Sequence, residues 1–184
     1  YKNRKYINNS NWTNLTENKI NKIKIEKCSY ADMREFLNTR NLKINRNVST
    51  KPSRIIKWPE HIEWWINKNI LKYKMVQSNI SIGFLWFKIN IDDNGTYLTS
   101  GWFLNKIVND KLKVSINIQN NQNSLANKYY KNKKWIIITK KNNKFVHYLN
   151  KKFGFVAASF RSKIRAKESF KTKLNNYHVM EKLI

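Results

Sequence analysis

A change of period at Lys72 constrains the fold more than any other feature of the sequence. Before it, apolar residues recur every three or four positions, as in Met33, Phe36 and Leu37, and again in Ile62, Trp65 and Ile66. That is the spacing of amphipathic helices. After it, apolar positions alternate or run on through Tyr73 to Val76, Ile80 to Ile91 and Thr96 to Phe103. Three consecutive strands are predicted, separated by turns at Ser78-Asn79 and Asp93-Asn94-Gly95. The Asn-Gly pair suits the positive φ angles of a tight hairpin.

The remaining elements follow by the same reasoning. Ile23 and Ile25 alternate with Lys22 and Lys24 as in a half-buried first strand. Ser29 to Asp32 then supplies a cap and an acid for a helix carrying Met33, Phe36 and Leu37. A polar loop, Arg40 to Arg54, leads to a second helix over about Pro59 to Asn69, because proline is tolerated in a first helical turn. A third helix is predicted from about Asp110 to Tyr130, with Asp110 at the positive end of its dipole and lysines near the other. Trp135 to Thr139 is apolar on both faces, as a buried strand should be. Asn143 to Phe153 places Val146, Leu149 and Phe153 on one helical face and stops at Gly154. Two last strands are expected around Phe155 to Phe160 and Tyr177 to Leu183. The result is an α/β domain over residues 22–184, with a mixed, largely antiparallel sheet of about seven strands and about four helices, preceded by a polar extension over residues 1–21.

Composition narrows the function. The chain has 184 residues and a net charge of +26, with 37 Lys and Arg against 11 acids. Such a charge attracts nucleic acid or anionic small ligands alike. It is spread along the chain rather than gathered in one arm, and no zinc-finger, RNA-recognition or helix-turn-helix pattern accompanies it, so nucleic acid ranks second among expected partners. No apolar run approaches the roughly 18 residues of a membrane span. The stretch Tyr1 to Lys24 has no apolar core resembling a signal peptide, which makes the cytoplasm the expected location. Cys28 is the single cysteine, and no Cys/His cluster has metal-ligand spacing, so neither disulfide nor metal is expected.

The order of elements resembles the GNAT N-acetyltransferases. The resemblance is carried by Trp135 to Thr139, then Asn143, Val146 and Leu149 on a short helix, then Gly154-Phe155 eleven residues after the asparagine, and by the closing strand Tyr177 to Ile184. It implies acetyl-CoA as cofactor and acetyl transfer to a primary amine, with the strand Thr96 to Phe103 supplying a backbone donor to the thioester carbonyl. Family spacing places the phosphate-binding loop at Leu104 to Lys111, where glycines are absent. The implied cofactor contacts are Phe103, Leu104, Asn105, Lys106, Asn109, Asp110 and Lys111, with Asn143 and Asn150 on the late helix. A loop at Gln119 to Ser124 is the alternative, but it leaves too few residues for a helix that must cross the sheet. Many relatives carry a tyrosine acid where this chain has Asn150, and Tyr148 lies about 200° round the helix from that position.

A second resemblance is to the subgroup that acetylates amino-sugar nucleotides in pseudaminic acid synthesis. It rests on Arg40-Asn41, Arg46, Ser49 and His61 followed by Trp64. These imply a substrate site in which arginine forks a diphosphate or carboxylate and Trp64 stacks on a ring. His61 or Glu63 is the implied base, acting through a water.

Overall fold

The structure is a computed structural model that describes residues 23–105, 108 and 110–184. The polar extension expected over residues 1–21, and the expected cofactor contacts Lys106 and Asn109, lie outside the described residues.

Seven strands form one sheet in the order β1-β2-β3-β4-β5-β7-β6. They are β1 (Lys24–Lys27), β2 (Ile70–Gln77), β3 (Ile80–Asp92), β4 (Gly95–Leu104), β5 (Lys134–Lys140), β6 (Val156–Ala157) and β7 (Tyr177–Leu183). Every pairing is antiparallel except that of β4 with β5. The meander expected from the period change is β2-β3-β4, and its second turn has Gly95 at φ +101°, a conformation glycine adopts without steric cost.

Among the described residues six α-helices cover the two faces: α1 (Met33–Asn41), α2 (Lys43–Asn47), α3 (Trp58–Ile66), α4 (Lys111–Tyr129), α5 (Lys144–Lys152) and α6 (Phe160–Phe170). The alternation of β-strand side chains sorts the core into layers. Leu85, Phe87, Leu98, Trp135, Ile137 and Met180 face α4, which buries Val114, Ile118 and Ala126 against them. On the opposite face Phe84 and Phe103 meet Phe36 of α1 and Trp65 of α3, while Tyr97, Ile136 and Val179 meet Ala166 of α6. Phe36 is fully buried, with ring contacts to Trp65 at 5.3 Å and to Phe84 and Phe103 at 4.9 Å. A side chain of this size contributes about 1.5–3 kcal/mol through burial alone.

Three expectations about elements need correction. The strand expected over Phe155 to Phe160 is limited to Val156–Ala157, and Phe160–Phe170 is a helix that the sequence pattern did not disclose. That helix buries Ser162, Arg165 and Ala166 and exposes Phe160 and Ile164, so its apolar stripe points the wrong way for a hydrophobicity argument. What starts it is Ser159, whose side chain accepts from the Ser162 N–H at 3.4 Å. What seats it is Arg165, which forks Asp92 at 2.6 and 2.7 Å and lies 4.5 Å over the Tyr97 ring. The polar loop Arg40 to Arg54 contains the short helix α2. The helix expected to run to Asn69 ends at Ile66, because Asn67 turns to extended backbone and its side chain accepts from the Asn69 N–H at 2.9 Å.

Candidate active site

The parallel pair is where the sheet opens. β4 and β5 pair only through Tyr97, Leu98 and Thr99 against Lys134, Trp135 and Ile136. Each strand runs on, β4 to Leu104 and β5 to Lys140, held on its outer side by β3 and β7 respectively. Since each follows a different neighbour, the two diverge into a splay. The Asn105 N–H bonds the Ile82 carbonyl at 2.9 Å across to β3. By the alternation of an antiparallel ladder, the backbone groups of Leu104 and Trp102 therefore face the splay. The Leu104 carbonyl is taken by the Asn45 side chain at 2.8 Å. Trp102 keeps an N–H and a carbonyl that no residue of β5 meets.

At the closed end, the Trp135 indole donates to the Ser100 hydroxyl at 2.9 Å and packs on Phe87 and Phe155. On the other face Gly101 makes room for Trp86, whose ring atoms would lie 2.8–2.9 Å from any Cβ there. Trp86 meets Trp64 edge-on at 6.3 Å, and the Arg40 guanidinium lies 5.3 Å from the Trp64 ring. The expected pair Arg40 and Trp64 is thus brought together over β2 and β3, where the Lys72 ammonium also lies 5.7 Å from the Trp64 ring. Arg40 has no ion pair or hydrogen bond among the described residues, and burial, with Arg54 adding to it against Glu60, pushes its pKa down to about 10.

A strap formed by residues 42–57 crosses the open ends of the splay. Asn45 ties it to Leu104 of β4, Lys140 of β5 donates to the Asn47 carbonyl at 2.5 Å, and the Tyr177 hydroxyl of β7 makes long bonds to the Ser49 and Thr50 carbonyls. Three of the expected substrate residues build this strap. Asn41 clamps both backbone groups of Ile56 at 3.0 Å, Arg46 donates to the Asn41 carbonyl at 3.0 Å and to that of Pro52 at 3.3 Å, and the Ser49 hydroxyl accepts from the Lys51 N–H.

His61 and Glu63, the expected bases, are not brought to the splay. His61 is fully buried between Phe36 and Trp64, with Nε2 at 3.0 Å from the Met33 carbonyl. Glu63 is exposed on the outer side of α3. Burial holds the His61 pKa below its ordinary value, opposed by the Met33 carbonyl and reinforced by Arg40 and Lys72. The unfolded chain therefore binds a proton in a window where folded His61 does not, and stability falls as pH drops below about 6.5. Chemical denaturation from pH 7.5 to 5 tests this: His61→Gln, which no longer titrates, is expected to show a flatter dependence than wild type.

The face carrying α4 and α5 holds the other expected contacts. Asp110 caps α4, accepting from the Lys113 N–H at 3.1 Å and pairing with its ammonium at 3.5 Å. Lys111 is exposed at the first position of that helix. Phe103 points its side chain into the opposite core and its backbone faces Phe84 of β3, so neither is available, and the Asn105 N–H is engaged with Ile82. Asn143 caps α5 through Val146, and buried Asn150 donates to the Thr139 hydroxyl at 3.1 Å. His147 and His178, which carried no signal in the sequence, stack at 4.0 Å between α5 and β7. Cys28 is half-buried, and burial together with Asp32 pushes its thiol up to about 12.

No protein-family profile and no curated protein matches the sequence. Solved structures do. An acetyltransferase of the GNAT family from Streptococcus pneumoniae superposes with a TM-score of 0.60 at 14% identity, over 88% of this chain and 99% of its own. The chain has the fold of the GNAT acetyltransferases. Two further structures with that fold are a spermidine N-acetyltransferase from Vibrio cholerae in complex with CoA and spermine, and an aminoglycoside acetyltransferase in complex with coenzyme A. The first has a TM-score of 0.61 at 12% identity, covering 88% of this chain and 95% of its own. The second has a TM-score of 0.66 at 10% identity, covering 88% and 94%. The strap is bonded to both walls of the splay, to Leu104 through Asn45 and to Lys140 through Asn47, and α4 begins a few residues after the end of β4. Among the described residues no helix is long and apolar enough to cross a membrane, and no group of three or more potential metal ligands occurs.

Proposed function

We propose that the protein is an acetyl-CoA-dependent N-acetyltransferase acting on a primary amine. The observation that carries this is the Trp102 backbone in the splay, a hydrogen-bond donor and acceptor that face away from β3 and meet no partner among the described residues. An unpaired strand edge takes an extended, amide-bearing chain as it would another strand. Bound acetyl-CoA supplies the acetyl thioester. The Trp102 N–H donates to the carbonyl oxygen as negative charge builds on it during attack by the amine nitrogen. The N–C bond would form as the C–S bond breaks, and the amine proton would leave to water, since neither His61 nor Glu63 faces the opening. The thiolate would be protonated by solvent, because the Asn150 amide is too weak an acid to do so and is bonded to Thr139.

The first-turn N–H groups of Lys111 and Leu112 at the α4 N-terminus, with the helix dipole, would hold the cofactor's phosphates. The Asp110 carboxylate opposes that placement and Lys113 offsets it in part. The acceptor is an amino sugar borne on a nucleotide, with Arg40, held against the Trp64 ring, offering a planar fork. Calorimetric titration with acetyl-CoA tests the cofactor assignment. Asp110→Asn keeps the cap and removes the charge, so affinity is expected to rise by about two- to fivefold. No heat of binding from wild type or variant at millimolar cofactor would sink the enzymatic reading.

A further inference from the structure

Outside the splay itself, an open basin of about 640 Å³ lies between the strap, the end of β5 and the connection from α6 to β7. Its wall includes Thr50, Lys140, Lys141, Lys171, Lys173 and Tyr177. We propose that this basin is an anion subsite that holds the phosphate or diphosphate of a phosphorylated amine while its amino group enters the splay; that amine's role as acceptor rests on the acetyltransferase function above.

Position is the first ground. Ile136, Ile138 and Lys140 alternate toward the face carrying α6, as do Tyr177 and Val179 on β7, so the basin opens on the face opposite α4 and α5. A cofactor entering from the α4 side and an acceptor seated in the basin meet across the splay. The basin begins at Lys140, the last residue of the strand that forms one wall of that splay. Its volume is within the range of about 300–1,000 Å³ usual for small-molecule sites.

Charge is the second ground. Four of the lining side chains end in ammonium groups and no lining residue carries a carboxylate. Elsewhere the acids are drawn into pairs, as with Asp92 and Arg165, Asp32 and Lys74, and Glu181 and Lys134, and none of the basin lysines takes part in an ion pair among the described residues. Lys171 also bears on Lys88, whose pKa is pushed down by burial and by that neighbour. Clustered like charges destabilise the folded state by mutual repulsion, and an anion seated among them relieves it. A polycationic amine, such as the spermine bound by the Vibrio cholerae enzyme, is repelled from the same wall.

The probe is inorganic pyrophosphate, titrated calorimetrically into the full chain at low ionic strength with acetyl-CoA present in excess, so that the cofactor's own phosphate site is filled. Lys171→Gln/Lys173→Gln is expected to weaken pyrophosphate binding by about tenfold or more, as loss of two charge-assisted contacts should. Lys163→Gln/Lys167→Gln, which removes the same charge from the exposed side of α6, is expected to change it by less than about twofold. Equal weakening by both pairs, or no binding to wild type, overturns the subsite. Turnover separates the two readings: glucosamine 6-phosphate is expected to exceed glucosamine in kcat/KM in wild type, and the Lys171/Lys173 variant to lose that preference without a change in KM for acetyl-CoA. Localised pyrophosphate binding with no acetyl transfer to any amine would leave the anion subsite and remove the enzyme; acetyl transfer indifferent to the phosphate would leave the enzyme and remove the subsite.

Discussion

Trp135→Ala is expected to lower the unfolding free energy by about 3–5 kcal/mol, the range for deleting a buried tryptophan side chain. The indole is 1% exposed, packs at 4.9 Å on Phe155 and 5.6 Å on Phe87, and donates to Ser100. Its place explains why the loss is large. Only three residues on each strand join β4 to β5, so that junction depends on side-chain packing more than on its ladder. Trp135→Phe keeps most of the apolar contact and leaves the Ser100 hydroxyl without its donor, so its cost should be the smaller of the two. Urea denaturation of wild type and both variants gives the comparison. An alanine variant within about 1 kcal/mol of wild type would show that the closed end of the splay is held by something else.

Replacing the peptide N–H of Trp102 by an ester oxygen, with the indole retained, is expected to reduce kcat by about 10²–10³, the usual cost of removing one oxyanion donor. Binding of acetyl-CoA should weaken much less, since the donor acts most strongly on charge that develops during the reaction. The same change should move the melting midpoint little, because this N–H points into the splay and has no partner in β5. Steady-state kinetics of the semisynthetic protein, with thermal unfolding alongside, separates the two effects. Turnover equal to that of the all-amide protein would remove Trp102 from the mechanism.

Much of the architecture was legible locally. The β2-β3-β4 meander follows from uninterrupted apolar alternation and two turns whose residues tolerate positive φ. Helix α4 carries both signals, since Val114, Ile116 and Ile118 alternate as in a strand while Leu112 with Ile116 and Val114 with Ile118 pair at i, i+4 behind the Asp110 cap, and the helix prevails. Helix α6 was hidden because its buried side is Ser162, Arg165 and Ala166, held by a hydroxyl cap and by an ion pair to Asp92, 73 positions away. The residues singled out for the site divided in the same way. Arg40 and Trp64 do meet, whereas Asn41 and Arg46 hold the strap together and His61 is enclosed by aromatic rings.

Period, caps and turn residues act within a few positions of chain, and from them the sequence by itself determined the order of elements apart from α2 and α6, the largely antiparallel sheet and the resemblance of the run Trp135 to Phe155 to a known motif. The splay, the strap across its mouth and the lysine-lined basin depend on which strand each half of the sheet follows once β4 and β5 part. Those are contacts between residues distant in sequence, such as Asn45 with Leu104 and Lys140 with Asn47, and only the tertiary structure decided them.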